Sequence, residues 1–515
     1  MDAGEANKIV LDPVYGMIHL EPLAVKIIDT HYFQRLRYIK QLSFADFVYP
    51  GATHTRFAHS IGVYHLASQM IKEIKAHKLP EGAAEMSPQD EMCIRVAALC
   101  HDMGHGPFSH AYEEIGKETI GEKMGSKLKH ENISLFLVEK MFKDTNYDLK
   151  LKEYFGDKVE ENIKLIQDLI QGKREQAMTA DEKKKKYMFQ IVSNADTGVD
   201  VDKWDYFHRD AKACGVPERF QYERALSVAR VVKLKDKEEE VFELGYRDYD
   251  GFNFYNMFNT RFTMYRKVYK HKVVIAVHLM IKDVFKLVHK ANATQEIDER
   301  SKIDLFPVTS LTDDPNSDNY MHLDEDKYLD MEKYLRLRDD VLLKLYDSSA
   351  PQYKEARDLI KRLQERKLYK FVDDICVKAA VEDAKPRAEE IEKTIKERLE
   401  NEDFKDELEV MICVLNYGQK HEDPVQKLNF YSKRKEHEGN TLERDKVSLV
   451  LPSVFQEYHV LVYQKFSGKK DYKSDVESNI TQLSQILNEI RLQFLPERPS
   501  SKRQNAEAMS DSTSH

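Results

Sequence analysis

The sequence predicts a mostly α-helical fold, with a helical core and a smaller α+β lobe towards the C-terminus. Apolar residues recur at helical spacing in several segments, whereas alternating or β-branched apolar residues gather in short segments after residue 400. The length of 515 residues also exceeds that of one usual domain. We therefore predict a helical core at 1–290, a helical extension with a long surface loop at 291–370, an α+β lobe at 371–495 and a disordered tail at 496–515.

The individual elements follow from start signals, periodicity and breakers. Ser87 and Asp90 flank Pro88 in the pattern of a helix start, and this helix should run to His101 and Asp102 before Gly104 stops it. Other helices are predicted from residue 57, at 200–210, 257–288, 326–346 and 475–494. Strands are predicted at 408–415, 427–431 and 457–464, and residues 296–325 form the long surface connection.

Composition excludes several classes of protein. The net charge is -9, so the chain has no overall basic footprint for nucleic acid, and we interpret the lysines at 183–186 as a solvated loop. Five scattered cysteines indicate a reducing compartment, with no paired metal-binding spacing. Neither a membrane-spanning run nor a secretory signal is present, so we predict an intracellular protein, nuclear or cytosolic.

The adjacent His101 and Asp102, at the end of an apolar helix, are the most informative feature. Both side chains ligate metals, and His59 upstream with Asp202 downstream would complete a set of four ligands around a divalent ion. Such a site hydrolyses phosphate esters or anhydrides. A lone His-Asp pair is more often a helix cap or a surface pair, so its surroundings must decide.

Those surroundings are rich in ionisable groups. His105 and His110 share a glycine-rich turn with the pair and are candidate catalytic residues, and Glu113, one turn beyond His110, could orient His110. His130 and Glu131 form a second candidate pair for the same task. Each histidine could instead make only a helix-terminal hydrogen bond.

A second group of candidates flanks these histidines. Arg56 lies three positions before His59 and can face the same pocket. Asp202, Tyr206 and Asp210 recur at helical spacing, with Lys203 alongside as a phosphate-binding cation. Such spacing also occurs on solvated helix faces, but the sole tryptophan in this run favours burial.

At this point the sequence resembles the HD-domain phosphohydrolases, named for their histidine-aspartate metal motif. Within them it is similar to animal deoxynucleoside triphosphate triphosphohydrolases that join a SAM domain to an HD domain. The similarity runs from Lys8 to about Lys465, so we expect no SAM domain ahead of it. The segments that carry the resemblance are 27–30, 33–42, 101–110 and 200–207.

The resemblance implies a role for many residues in the HD-domain core. The metal ligands would be His59, His101, Asp102 and Asp202, and the α-phosphate would be surrounded by His105, His110 and His130. Arg56, Lys203 and Arg261 would bind the triphosphate, and Gln41, Leu42, Tyr206, Asp210 and Tyr269 would hold the sugar, with Asp200 and Lys270 beside the pocket. Tyr206 would crowd the 2′ position, which favours deoxyribose.

The implied reaction is attack of water on the α-phosphorus, which releases deoxynucleoside and intact triphosphate. Histidine and carboxylate ligands suit iron, zinc or manganese, and a separate magnesium ion would travel on the nucleotide.

The family also implies regulation by GTP and deoxynucleoside triphosphates, which bind between subunits and drive assembly of a homotetramer. The α+β lobe at 371–495 would take part in this regulation and assembly. The matching positions are Lys8, Ile9, Asp29, Gln34, Arg37, Val48, Arg224 and Arg247. The chain departs from the family at Leu11, Met17 and Tyr249 in these clefts, and at Tyr265 and Lys270 near the substrate. Lys270 adds a positive charge beside the pocket and would shift the substrate range.

The sequence leaves two other functions open. Another HD phosphohydrolase, a phosphodiesterase or a nucleotidase, would use the same ligands and differ only in its products. A nucleic-acid-binding or scaffold protein with weak turnover, which would bind single-stranded nucleic acid, could keep the fold and the metal.

Overall fold

The computed structural model describes residues 7–173, 175–234, 240–294, 297–298, 301–310, 319–377, 381–399, 407–465 and 474–494. The predicted tail at 496–515 lies outside them. The α-helices are Pro22–Ile28 (α1), His31–Gln34 (α2), Arg56–Lys75 (α3), Pro88–Cys100 (α4), His110–Ile120 (α5), Glu122–Gly125 (α6), His130–Lys143 (α7), Leu151–Phe155 (α8), Val159–Gln171 (α9), Ala180–Lys183 (α10), Lys186–Phe189 (α11), Val201–Cys214 (α12), Tyr222–Ser227 (α13), Gly251–Met264 (α14), Lys272–Thr294 (α15), Met331–Leu335 (α16), Val341–Asp347 (α17), Lys354–Gln364 (α18), Val381–Arg398 (α19), Arg444–Val447 (α20) and Ser474–Phe494 (α21). The strands are Lys8–Asp12 (β1), Gly16–Leu20 (β2), Arg230–Leu234 (β3), Phe242–Arg247 (β4), Val308–Ser310 (β5), Tyr320–Asp324 (β6), Lys327–Asp330 (β7), Lys370–Val377 (β8), Leu408–Asn416 (β9), Asn429–Ser432 (β10), Lys435–Asn440 (β11) and Gln456–Gln464 (β12).

The mostly α-helical fold class is confirmed, and the chain divides into two compact units. The first unit comprises residues 1–370 and 415–456, and the second comprises 371–414 and 457–515. This division differs from the predicted one at 290, because α15, which crosses that boundary, packs against α18. Residues 415–456 also leave the lobe, because β10 and β11 pair with β4 and β3 in a closed barrel. Backbone pairing over a long sequence separation therefore decides where this segment belongs.

The core of the first unit is built on α3, α4, α9 and α12, which pack against one another. The start of α4 has the predicted capping box: the Ser87 hydroxyl accepts from the Asp90 amide at 3.1 Å, and the Asp90 carboxylate accepts from the Ser87 amide at 2.8 Å. The helix ends at Cys100, earlier than predicted. Gly104 is required by packing, because a Cβ there would lie 2.2 Å from the carbonyl oxygen of His130.

Three sequence predictions about the middle of the chain are wrong in detail. The helix predicted at 257–288 is interrupted between α14 and α15 by a π-helical turn at Tyr265–Tyr269, which apolar periodicity does not reveal. The surface connection at 296–325 contains β5 and β6, and the helix predicted at 326–346 begins instead with β7. These short strands form an antiparallel sheet in the order β5-β7-β6 and bury Leu323 and Leu329.

The basic run at 183–186 is also not a solvated loop. Lys183 ends α10, and Lys186 begins α11 with only 2% of its surface exposed. Its ammonium lies 2.6 Å from Glu243 and 2.8 Å from Glu175. Carboxylates therefore neutralise this lysine, and the run offers less free positive charge than its sequence suggests.

The second unit has the α+β character expected for the lobe, with a three-stranded sheet in the order β8-β12-β9 and the helices α19 and α21. Ile375 of β8 and Val460 of β12 belong to the same apolar cluster as Ile391 of α19 and Leu483 of α21. Among the described residues, no helix combines the length and apolar character that a bilayer-spanning segment needs.

Candidate functional site

Three helices bring the four predicted metal ligands together. His59 lies on α3, His101 and Asp102 directly follow α4, and Asp202 lies in the first turn of α12. The Nε2 atom of His59 is 3.1 Å from Asp202 Oδ1 and 3.4 Å from Asp102 Oδ2. The Nε2 atom of His101 is 3.4 Å from Asp202 Oδ1 and 3.5 Å from Asp102 Oδ1. The two Nε2 atoms and a carboxylate oxygen of Asp202 therefore lie within 4.8 Å of one another, and Asp102 adjoins the two imidazoles through separate oxygens.

The position of Asp202 is set by the start of its helix. Asp200 is the N-cap of α12, and its carboxylate accepts from the Lys203 amide at 3.0 Å and from the Asn194 amide at 2.9 Å. The cap fixes the first turn, in which Asp202 follows two residues later. The ligand is thereby held by backbone geometry rather than by a flexible loop.

The two histidines have the hydrogen bonds that metal-binding imidazoles require. Nδ1 of His59 lies 2.7 Å from Asp205 Oδ2, and Nδ1 of His101 lies 2.9 Å from the Ala98 carbonyl oxygen. These acceptors fix the proton on Nδ1 and leave the Nε2 lone pair directed at the site. Both Nε2 atoms are buried, and neither has a hydrogen-bond partner in the part of the chain described. The arrangement fits a divalent metal ion.

The charges of the site also call for a cation. Burial alone would lower the pKa of His59, but Asp202 and Asp205 raise that pKa to about 10. A bound metal would therefore replace a proton on Nε2. Burial opposes ionisation of Asp102, yet Arg56 and His101 hold the pKa of its carboxyl well below the usual range. The site thus concentrates ionised carboxylates, which a divalent metal would neutralise.

Asp205 and Arg209 support the site, and sequence analysis missed both. Asp205 has no exposed surface and accepts from Arg209 Nε and Nη2 at 2.9 Å each. Arg209 also donates to Asp12 at 2.8 Å. A Cβ on Gly62 would lie 1.9 Å from Asp205, so a glycine in α3 admits this carboxylate. The available signal was the spacing of four between Asp205 and Arg209 in the same helical run.

A second group of side chains adjoins the candidate metal ligands. The rings of His105 and His130 stack with centroids 3.9 Å apart, and His105 Nε2 lies 3.2 Å from Asp102 Oδ1. Glu113 Oε1 lies 2.8 Å from His130 Nδ1 and 3.5 Å from His110 Nδ1. Glu113 therefore orients His130 more directly than His110, the partner that the sequence indicated. The predicted pair of His130 and Glu131 is looser, at 3.4 Å.

The pKa values of the two stacked histidines are shifted in opposite directions. Burial lowers the pKa of His105 well below its ordinary value, and Arg56 and His130 add to this effect. Burial also disfavours charge on His130, but its hydrogen bond with Glu113 raises the pKa of His130 above the ordinary value. At neutral pH the geometry places a neutral imidazole beside one that readily carries a proton.

Arg56 is held from two sides. Its Nη1 donates to Asp102 Oδ2 at 2.6 Å, and its Nε donates to the Ser109 hydroxyl at 2.9 Å. Ser109 and the preceding Phe108 have φ values of 56° and 61°, a left-handed backbone that aims the serine into the site. The guanidinium thus joins the metal ligands to the turn that carries His105.

Three of the predicted sugar-binding residues lie on α12 or contact it: Tyr206 and Asp210 belong to this helix, and Tyr269 contacts Asp210. Asp210 lies 2.7 Å from the Tyr269 hydroxyl and 2.7 Å from His54 Nε2. The ring of Tyr206 approaches that of His59, with centroids 6.4 Å apart. Gln41 and Leu42 are both 8% exposed. His54 was not predicted from sequence.

The predicted phosphate-binding cations differ in their contacts. Lys203 donates to its neighbour Asp200 at 2.8 Å. Arg261 lies over the ring of Tyr265 at 4.1 Å, and its buried Nη1 has no hydrogen-bond partner within the described ranges. Lys270 lies 3.9 Å from Glu114.

The predicted regulatory residues form two surface groups. In the first, Lys8 lies 3.8 Å from Asp29, Gln34 accepts from Arg37 at 2.8 Å, and Ile9 is 54% exposed. In the second, Arg224 pairs with Asp250, and Arg247 donates to Asp248 at 2.9 Å. Val48 follows the short turn at Ala45–Phe47.

Comparison with known proteins agrees with this geometry. A family model described as the HD domain matches residues 56–238. The chain is 33% identical to a Gallus gallus protein described as deoxynucleoside triphosphate triphosphohydrolase SAMHD1, over 89% of this chain and 72% of the relative. Proteins of the same description from Mus musculus and Bos taurus are also 33% identical, over 91% and 90% of this chain and 69% and 76% of the relatives.

Proposed function

The chain belongs to the SAMHD1 family of deoxynucleoside triphosphate triphosphohydrolases, and from that premise we propose that it cleaves deoxynucleoside triphosphates into deoxynucleoside and inorganic triphosphate. It is a hydrolase of the HD type. The observation that carries the proposal is the pair of buried Nε2 atoms of His59 and His101, which have no hydrogen-bond partner in the described structure and face the carboxylates of Asp102 and Asp202.

These four side chains would hold a transition metal of the iron, zinc or manganese class, and magnesium would accompany the nucleotide. When bound, the metal supplies Lewis acidity towards water and a phosphoryl oxygen. Asp205 and the Ala98 carbonyl keep the imidazoles in the ligating tautomer. The remaining chemistry belongs to the side chains around them.

In the proposed reaction, water attacks the α-phosphorus and releases one proton to solvent, while the bond from that phosphorus to the 5′ oxygen breaks. The departing oxygen needs a proton, and His130 is suited to donate it because Glu113 keeps its pKa raised. His105, neutral and buried beside it, contributes a hydrogen bond to the α-phosphate, and His110 lies at the exposed mouth with 63% of its side chain accessible. Glu131 would adjust the charge near His130.

The triphosphate and the sugar have separate partners in this proposal. Arg56, Lys203 and Arg261 neutralise phosphate charge, and the unpartnered Nη1 of Arg261 is available for this within the described site. Asp210 and Tyr269 accept and donate at the 3′-hydroxyl, while Tyr206 occupies the space that a 2′-hydroxyl would need. Gln41, Leu42, Asp200 and Lys270 complete the pocket wall.

We further propose regulation by nucleotides at the two surface groups. Asp29, Gln34 and Arg37, with Lys8 and Ile9, would contact guanine, and Val48, Arg224 and Arg247 would contact a second nucleotide in a homotetramer. Leu11 and Tyr249, which depart from the family pattern, are 82% and 84% exposed. Light scattering of the full chain with and without GTP tests this, since assembly must increase with GTP.

The function itself is tested by chromatography of the products formed from each deoxynucleoside triphosphate, with manganese and magnesium and with or without GTP. Deoxynucleoside and triphosphate in equal amounts are expected. Monophosphate with pyrophosphate would identify a different HD phosphohydrolase. Tightly bound metal without any turnover would favour the binding or scaffold protein, with single-stranded nucleic acid as the first ligand to test.

A further inference from the structure

A second group of metal-ligating side chains lies in the C-terminal lobe, on two neighbouring strands. Asp374 and Cys376 lie two positions apart on β8. Glu457 and His459 lie two positions apart on β12, which is hydrogen-bonded to β8. Because side chains two positions apart in a strand share a face, all four project from the same side of this pair of strands. The opposite side carries Ile375 and Val460, which pack in the apolar cluster with the lobe's helices.

The ligand atoms of three of these residues converge. The sulfur of Cys376, a carboxylate oxygen of Glu457 and a ring nitrogen of His459 all lie within 4.8 Å of one another. A tetrahedral zinc-class ion with bonds of about 2.0 to 2.3 Å holds its ligand atoms roughly 3.3 to 3.8 Å apart, which lies within this limit. Among the described residues, this is the group that combines sulfur, nitrogen and oxygen ligands.

His459 is oriented as a metal ligand would be. Its Nδ1 lies 2.7 Å from Asp374 Oδ1, and its Nε2 lies 3.0 Å from Glu457 Oε1. The first contact fixes the ring and its proton, and it leaves Nε2 directed at the group. The backbone of Asp374 is itself fixed, because its carbonyl accepts from Arg491 at 3.0 Å. The side chain of His459 is 8% exposed, whereas Cys376 is exposed, so an ion has access from solvent.

We propose that Cys376, Glu457 and His459 form a binding site for a divalent transition metal of the zinc class, with Asp374 as the residue that positions His459. The thiolate and imidazole select borderline and soft metals over magnesium or calcium. Water completes the coordination, and the thiol proton is released on binding. The ion links β8 to β12, whose contacting residues Asp374 and His459 are 85 positions apart in sequence. It therefore stabilises the sheet.

Cobalt substitution tests the site independently of catalysis. The full chain, freed of metal and kept reduced, is titrated with Co²⁺ and followed by near-ultraviolet absorption. A sulfur-to-cobalt charge-transfer band is expected, and the catalytic ligands His59, His101, Asp102 and Asp202 cannot produce it because they contain no sulfur. Cys376→Ser should abolish the band, and His459→Gln should weaken the affinity by about 10-fold or more.

The matched control is Cys413→Ala on β9 of the same sheet, which should keep the band. A second measurement does not depend on any variant: saturating Zn²⁺ should protect Cys376 of the parent chain from alkylation, as read by mass spectrometry. The proposal is overturned if the parent shows no charge-transfer band, if Cys376→Ser retains it, or if zinc leaves alkylation of Cys376 unchanged. In those cases His459 is the centre of an ion-pair network only.

Discussion

His59 and His459 share the same nearest contact but lie in different surroundings. In each case Nδ1 is 2.7 Å from an aspartate, which is Asp205 in the first unit and Asp374 in the second. Asp205 is fully buried and bound by Arg209, whereas 42% of the Asp374 side chain is exposed. An aspartate charge without its partner costs much free energy at the buried Asp205 position, whereas water solvates such a charge at the exposed Asp374 position. One interatomic distance therefore corresponds to two very different energies.

The largest effect is expected from Asp202→Ala at the buried site. This change removes an anionic ligand that lies within 3.4 Å of both imidazole Nε2 atoms, so bound metal should fall and turnover should become undetectable. Metal analysis and product chromatography measure the two effects. Full activity in this variant would reject the assignment of the ligands.

The next largest effect is expected from Glu113→Gln. Loss of the carboxylate lowers the pKa of His130, so at neutral pH less imidazolium is present to protonate the leaving oxygen. We expect kcat to fall by about 100-fold with little change in metal content, and the activity remaining should increase towards lower pH. Glu118→Gln on the same helix is the control. An unchanged pH profile would remove His130 from the proton-donor role.

Asp205→Asn should weaken metal binding by about 10- to 100-fold, because the acceptor that fixes His59 becomes a neutral amide. It also leaves Arg209 with one carboxylate partner fewer, which should lower the free energy of unfolding by about 3 kcal/mol. Denaturant unfolding with and without a chelator separates the two effects. Wild-type metal affinity in the folded variant would show that Asp205 has no part in orienting His59.

The pH dependence of this stability has a defined sign. Burial opposes ionisation of Asp205, but Arg209 and His59 lower its pKa to about 2. Because the folded pKa is below that of the unfolded chain, about 3.9, the contribution of Asp205 is complete above about pH 4 and is lost as the pH falls towards 2. The difference in stability between the parent and Asp205→Asn should therefore narrow in acid.

The same substitution at the exposed position, Asp374→Asn, should have the smallest effect, below about 1 kcal/mol in metal-free protein. Burial lowers the pKa of His459, but Asp374 and Glu457 raise it above the ordinary value overall. The stabilisation is therefore present below about pH 6.5 and is lost as the pH rises through the folded pKa. Thermal unfolding at pH 5.5 and pH 9 checks this sign, which is opposite to that of Asp205. A larger loss at pH 9 would contradict it.

Much of the candidate site could be predicted from the sequence, because its ligands lie next to strong local signals. The Ser87 cap and the apolar residues of α4 place His101, and the spacing within 200–210 places Asp202. The supporting contacts were less visible, since Asp205 reaches His59 only because Gly62 on another helix leaves room for its carboxylate. The direction of Glu113 towards His130 likewise depends on how α5 and α7 pack.

The fold was predictable where elements are long and periodic, and less so where partners are distant. The predicted ends of α4, α21 and β12 lie within two residues of the observed ends. The segment 427–431 was recognised as a strand but assigned to the wrong unit, because its partner β4 is far away in the sequence. The π-helical turn that brings Tyr269 to Asp210 has no signature in apolar spacing.

The closed barrel also has a consequence for the order in which the protein matures. The β3 and β4 strands leave the ribosome roughly 180 residues before β10 and β11, which at about 5 to 20 residues per second is a delay of about 10 to 40 s. During this interval β3 and β4 can pair with each other, but their outer edges have no partners, and β8, α19 and β9 are synthesised before the barrel can close. Nascent chains stalled before residue 429 should therefore expose these two edges to chaperones, whereas chains released after residue 440 should not.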